Sequence, residues 1–279
     1  MWYFLRFTFI VVFLCIISSF RYPNAYEEPG GIAIYHFNYI RDTTNLSELW
    51  QEDFQLVFDG KKSSYISYTK KIQDSLQHAK IDAAMRSGSD NIDMGIVHPY
   101  TSEKIYVSQA ENFLCIAKPF NDNNYLIREE LEKIDWKIFK ETKKVLGFHC
   151  QKATGICKGR SYTAWFTIDI PAGFGPWKLQ GLPGLIMEAY DVSQRIRFVC
   201  TNVQFTGSGS AHLPLDLPKD AIATSPAAFA RMEKAYKEGV SGNSMNGGEA
   251  IIEHVKVNND QSPLNFKTRV VNFPLELNR

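Results

Sequence analysis

What the chain lacks narrows its chemistry before any motif is read. Its formal net charge is only +1, with 31 Lys and Arg against 30 Asp and Glu. The basic excess or clustered basic face of a nucleic-acid binder is therefore missing. After residue 25 no apolar run approaches the roughly 20 residues that cross a bilayer as a helix, so the mature chain is expected to carry no transmembrane span. The sequence has no internal repeat, no low-complexity block, no nucleophile elbow and no histidine pair at a metal-helix spacing. Cysteine is sparse, 5 in 279 residues, and Cys15 sits in the N-terminal leader.

That leader is informative. Phe7 to Ile17 is an apolar run preceded by Arg6 and followed by Ser18 and Ser19, the layout of a secretory signal peptide. Residues 1–25 are read as the signal peptide, with cleavage after Ser19 or Ala25, and residues 26–279 as one β-rich domain with a C-terminal helical region. The expected address is exported: periplasm, outer-membrane-associated or secreted. Four cysteines remain, and in an oxidising compartment an even set reads as up to two disulfides with three possible connectivities. A turn at Thr154-Gly155 favours Cys150 with Cys157, which leaves Cys115 with Cys200. A metal set of His149, Cys150 and Cys157 has a C-x6-C spacing unlike a zinc knuckle, and no second ligand pair follows. No metal and no cofactor is expected.

Strand signals dominate the mature chain. Ile32 to Ile40 is β-branched and aromatic, and Phe54 to Phe58 with Ser64 to Tyr68 reads as a hairpin about Asp59-Gly60. Short runs follow at Ile105 to Val107, Phe113 to Ala117, Tyr125 to Ile127, Trp136 to Phe139, Thr142 to Thr154 and Ile196 to Phe205. Two segments change period. Ile72, Leu76, Ala79 and Ala83 recur at helical spacing with a stop at Gly88, and Ser225-Pro226 opens a helix with Phe229, Met232 and Tyr236 on one side, ending before Gly239. There Glu233 and Lys237 can pair along the surface. Ser241 to Gly248 reads as a linker and Ile251 to Val257 as a further short element. Many close-spaced strands predict a mostly β (α+β) fold, a curved antiparallel sheet or half-barrel with two or three covering helices.

The segment Ser161 to Asp191 is the most distinctive. Tyr162, Ala164, Phe166, Ile168 and Ile170 alternate on one side of a strand. A loop rich in glycine and proline follows, with φ > 0 expected at Gly184 in a type II turn, and a second strand runs from Leu185 to Tyr190. Trp165 and Trp177 suit binding better than catalysis by their large contact area, although a tryptophan beside prolines and glycines is more often packed in the core. Asp169 and Glu188 could form a carboxylate pair of the glycosidase kind, or merely cap a turn and face water. His36, His78, His98, His149, His212 and His254 are scattered, and Lys152, Lys158 and Arg160 form a basic cluster that reads as a solvated hairpin tip. No catalytic residue is assigned.

Gly181-Leu182-Pro183-Gly184-Leu185-Ile186, flanked by GFHCQKAT, GRSYTAWFTIDIP and GPWKLQ, resembles the GLPGLI family of exported proteins known mainly from Bacteroidota. The likeness is specific over Val145 to Asp191 and looser at IYHFNYIRDTTN, LVFDGKKSSYISYTKKIQDS and FPLEL. It implies an exported or envelope-associated protein and no established activity, with Cys150 where the family often has its cysteine. The order of strand, hairpin and AWFTIDIP is also similar to lipoprotein-carrier-like half-barrels, which would make the helices near Ile72 to Met85 and Phe229 to Tyr236 covers over a concave apolar face.

Together these readings favour a non-enzymatic envelope protein that binds an apolar small molecule or a protein partner through a curved sheet. Its expected binding residues are Trp165, Trp177, Gly181, Leu182, Pro183, Gly184, Leu185, Ile186 and Glu188. One alternative is a hydrolase or peptide-processing enzyme using dispersed carboxylates or histidines, and another is a structural component docking on an outer-membrane complex. The sequence carries no signal of oligomeric state.

Overall fold

Among the described residues twelve strands form one sheet, and only one neighbouring pair is parallel. A computed structural model describes residues 30–89, 91–206, 213–240 and 271–277. The expected signal peptide, the linker at Ser241 to Gly248, the element at Ile251 to Val257, and His212 and His254 lie outside the described residues. The first half supplies β1 (Gly31–Ile40), β2 (Leu49–Phe58), β3 (Lys62–Ser67), β4 (Lys104–Ser108), β5 (Phe113–Phe120) and β6 (Asn123–Glu130). The second half supplies β7 (Lys137–Val145), β8 (Phe148–Cys157), β9 (Arg160–Thr167), β10 (Leu185–Asp191), β11 (Ile196–Phe205) and β12 (Ile222–Thr224). The helices are α1 (Tyr68–Ser87) and α2 (Pro226–Val240).

The spatial order is β12-β6-β5-β4-β3-β2-β1-β11-β10-β9-β8-β7. Two antiparallel meanders therefore meet where β1 pairs with β11. The sheet is open and curves as a half-barrel, so the fold is mostly β. Strict alternation in β1 turns Tyr35, Phe37 and Tyr39 inward, where they meet Phe54, Leu56, Phe58, Tyr162, Ala164, Phe166 and Phe198 in the main core. Two-residue turns with positive φ at both positions, Leu146-Gly147 and Lys158-Gly159, close the β7-β8 and β8-β9 hairpins, the geometry that matches strand twist.

These turns overturn the disulfide reading. Thr154-Gly155 lies inside β8, not at its end. Cys150 and Cys157 thus sit seven residues apart on one strand, about 23 Å at roughly 3.3 Å per residue, whereas a disulfide needs Cα atoms within about 7 Å. Leu114 and Ile116 face the main core, so the alternate residue Cys115 joins Tyr106, Phe113 and Ala117 on the opposite face, while Cys200 lies in the main core. All four are buried free thiols.

Of the two helices, α2 packs on the main core through Phe229, as the half-barrel analogy implied, whereas α1 turns its predicted stripe away from it. Ser67 caps α1 by accepting from the Lys70 N–H, and Gly88 ends it in the left-handed conformation. Yet Ile72, Leu76, Ala79 and Ala83 all face solvent, with Leu76 59% exposed. The opposite side of α1 is the packed one: Ala84 is buried, and the Gln73 amide binds both the N–H and the C=O of His98 at 2.7 and 2.9 Å. Periodicity identified the stripe but not its direction. In α2, Phe229 and Tyr236 pack edge-on against Phe120, and the helix continues through Gly239 to Val240. Glu233 pairs with Lys118 at 2.9 Å.

The cover over the concave face is the chain between β9 and β10. β9 ends before Ile168, which is 66% exposed, and the loop then dives inward. Ile170, Ala172, Phe174, Trp177, Leu179 and Leu182 are all buried in the main core. Gly181 holds φ at +90°, whereas Gly184 is absent from the positive-φ residues, so no type II turn explains it. Gly184 is needed because a Cβ there would collide with the Thr167 carbonyl.

Two outcomes are expected. Gly181→Ala should cost about 1–2 kcal/mol through backbone conformation alone, and Gly184→Ala about 3 kcal/mol or more because backbone must move. Urea denaturation checks the ranking, which reverses if the turn rather than the contact selects Gly184. Burial pushes the Cys150 thiol up to about 11 and the Cys157 and Cys200 thiols up to about 12. Their contribution is full below the ordinary thiol range near 9 and is lost as pH rises toward the folded values, because only the unfolded thiols ionise there. Stability should fall between about pH 9 and 12, and a thiol reagent at pH 8 should label none of the four until urea unfolds the chain.

Candidate functional site

The expected binding residues divide into two groups. In the GLPGLI turn, Leu182, Gly184, Leu185 and Ile186 are buried, and only Gly181 and Pro183 face outward. The turn is held from below. Gly181 N–H donates to Gly173 O at 2.9 Å, Ile186 N–H to Phe174 O at 3.0 Å, and the buried Tyr35 hydroxyl to Ile186 O at 2.7 Å. Trp136 Nε1 donates to Gln180 O, and Gln109 Nε2 to Gly173 O, each at 2.8 Å. This is the bonding of a packed plug. Its outer edge, with Gln109, Asn112, Glu132 and Gln180, borders an open surface groove of about 440 Å3.

Glu188 and Trp165 form a separate cluster. A bulge in β10 between Ile186 and Glu188 sets the Glu188 register. Its buried carboxylate accepts from Lys143 Nζ and, at 2.9 Å, from an Arg197 guanidinium nitrogen. Lys143 lies 4.5 Å over the Trp165 ring. A carboxylate held between two cations is a structural ion pair; Asp169 is exposed at the loop entrance. His36 Nδ1 lies 2.7 Å from Asp53 on the neighbouring strand, and no group of three or more metal-ligating side chains occurs among the described residues.

The basic cluster is not a solvated tip. Lys158 pairs with Glu129 at 2.9 Å, and Arg160 is buried, its guanidinium 4.1 Å over Phe273. Lys178, whose side chain is 3% exposed within the plug, lies between Glu129 at 3.5 Å and Glu276 at 2.9 Å. Burial alone would raise the Glu129 carboxyl, but Lys158 and Lys178 together hold it below its ordinary range. These charges fasten three remote pieces: the end of β6, the plug, and the strap 271–277. The strap is further held by Tyr39, whose hydroxyl donates to Phe273 O, and by Leu277 N–H donating to Lys158 O at 3.0 Å.

Between strap, plug and sheet lies a cavity of about 90 Å3 that sequence reasoning missed. Phe37, Phe54, Tyr65, Phe198, Trp177 and Leu275 line it. These positions span more than two hundred residues of sequence, and no local pattern joins them. Trp177 sits there with φ at +56°, a conformation uncommon outside glycine and costly for a bulky side chain.

A family model described as N-glycanase peptide, N-terminal domain, matches residues 64–197. That span includes α1, the plug and the GLPGLI turn. No curated protein matches the chain. Two solved structures of PNGF-II are similar. The one in the C2 space group is 14% identical with a TM-score of 0.50, over 73% of this chain and 32% of its own. The one in the P21 space group is 14% identical with a TM-score of 0.51, over 84% of this chain and 38% of its own. The chain therefore spans about a third of the length of the PNGF-II structures it matches, and at this identity the likeness is one of fold.

Proposed function

We propose that this chain is an exported envelope protein of GLPGLI type that acts as a binding module, docking through α1 on the N-glycanase-type catalytic portion of a partner protein. The observation that carries this reading is the orientation of α1. Its polar side is consumed by contacts with the chain that follows, and the stripe of Ile72, Leu76, Ala79 and Ala83 is left outward. An apolar helix face held in water by its own fold is the mark of a protein contact. The occupant is drawn from the match to an N-terminal domain of N-glycanase description, together with the two thirds of the PNGF-II structures that this chain does not span. No helix of the described residues is long and apolar enough to cross a membrane, which agrees with export after signal cleavage.

The curved sheet is the scaffold of this module, and its hollow is largely taken by the plug, which favours a partner on the outer surface. The alternative, a hydrolase built on dispersed carboxylates, loses support from Glu188, which is clamped between Lys143 and Arg197. The two readings separate in one assay set. The mature chain alone should release no glycan from an N-glycopeptide, and it should form a saturable complex with an N-glycanase stripped of its own N-terminal region, read by sedimentation. Leu76→Asp should weaken that complex about tenfold or more while leaving stability within about 0.5 kcal/mol, as for an exposed site. Glycan release by the chain alone, or a complex indifferent to Leu76→Asp, would contradict the proposal.

A further inference from the structure

The open groove at the outer edge of the GLPGLI turn, about 440 Å3, falls within the size range of small-molecule sites. Two glutamines lining it are held in fixed orientation. Gln109, in the turn between β4 and β5, donates through Nε2 to Gly173 O at 2.8 Å, and Gln180, in the plug, donates through Nε2 to Glu132 O at 2.8 Å. A carboxamide whose nitrogen is tied to a backbone carbonyl cannot flip without losing that bond, so its oxygen is set as an acceptor. Neither Oε1 has a partner among the described residues. Neither is sealed from solvent: the sealed side-chain atoms without a partner belong to Tyr65, Arg160 and Tyr162. Asn112, exposed with φ at +50°, adds a third lining amide that can both donate and accept.

The rest of the lining selects the ligand class. Its ionisable residues, Glu132 and Lys133, are of opposite sign, and each faces a counter-ion, Lys158 at 3.7 Å and Asp135 at 3.9 Å. No net charge therefore draws an ionic ligand. Leu131, Ile134 and Leu182 supply the apolar part of the wall. A wholly apolar ligand would strip water from three amides and return no hydrogen bond, at a cost. An extended peptide brings a carbonyl with every N–H, and of the three lining amides Asn112 alone has an uncommitted nitrogen to meet it. A sugar ring suits the groove better, because its hydroxyls donate or accept as required and its C–H groups form an apolar face. An acetamido substituent adds an N–H for a fixed Oε1 and a methyl for the leucine and isoleucine wall.

We propose that this groove is a binding site for a neutral saccharide bearing an acetamido group. Gln109 and Gln180 accept hydrogen bonds from it through Oε1, Asn112 exchanges a further one, and Leu131, Ile134 and Leu182 meet its methyl. The site shares no residue with α1, so it stands or falls apart from the docking of a partner there.

N,N′-diacetylchitobiose tests the site, with cellobiose as the same linked rings carrying hydroxyls in place of the acetamido groups. Each is titrated into the mature full chain and followed by amide chemical shifts, including the side-chain Nε2–H signals of Gln109 and Gln180. Diacetylchitobiose should give saturable shifts at those signals and at Gly181, and cellobiose should bind about fivefold or more weakly, the worth of one net hydrogen bond. Asn112→Gly removes an amide where a positive φ suits glycine and leaves the plug's bonds in place. It should weaken diacetylchitobiose about fivefold, Gln109→Ala should weaken it as much or more, and Leu76→Asp should leave it unchanged. The proposal is overturned by absence of saturable shifts in the groove, by equal binding of cellobiose, or by either groove variant binding as the parent does. Equally tight binding of N-acetyl-trialanine amide would mark a peptide groove and overturns it as well.

Discussion

A curved sheet whose concave face is aromatic must cover that face, and here the chain covers it with the segment between two adjacent strands. Everything else in the described fold is arranged around that plug. Gly184 brings the returning chain hard against Thr167 where β9 ends, and Gly175 would place a Cβ 2.8 Å from Ile186. Side chains are excluded at these points so that Phe174, Leu179 and Leu182 can reach the floor of the half-barrel. The plug also carries its own hydrogen bonds inward, as buried backbone requires. The hydrophobic effect supplies the attraction without direction; close packing and paired backbone groups supply the register.

The same logic accounts for the buried charges. Lys178 enters the interior with the plug, and a lone ammonium there would be prohibitive. Glu129 arrives from β6 and Glu276 from the strap, and Lys158 completes the set at a hairpin turn. Such a network contributes little net stability compared with an apolar replacement, but it penalises any arrangement that separates its members. It therefore specifies that the strap crosses this end of the sheet. The strap in turn completes the wall of the cavity, so the ion-pair network also fixes one side of that cavity.

Much of this was legible in the sequence, and the rest was not for definite reasons. Period-2 alternation reveals the strand at Ile32 to Ile40 and the hairpin about Asp59-Gly60, because each strand shows its pattern locally. Leu146-Gly147 and Lys158-Gly159 were the true turn signals. A turn at Thr154-Gly155 would break β8 in two and bring Cys150 to Cys157, but that pair lies inside the strand. The plug has no period, and its hollow is built from β1, β2, β9 and β11, so its path follows only from the assembled sheet. The stripe on α1 was visible, but which side faces the protein depends on Gln73 meeting His98. Within the GLPGLI hexapeptide Leu182, Leu185 and Ile186 are buried, so its apolar residues belong to the core.

The function proposed for the outer surface presupposes that the plug is a permanent part of the core and not a lid. Native-state hydrogen exchange measures this directly at the amides of Gly181 and Ile186, whose acceptors are Gly173 and Phe174 within the plug. If the plug organises the sheet, these amides should exchange only through global unfolding, with the same denaturant dependence as amides in β1 and β10. Exchange through a local opening while β1 and β10 stay protected would show a removable lid over a preformed bowl, and would contradict this account.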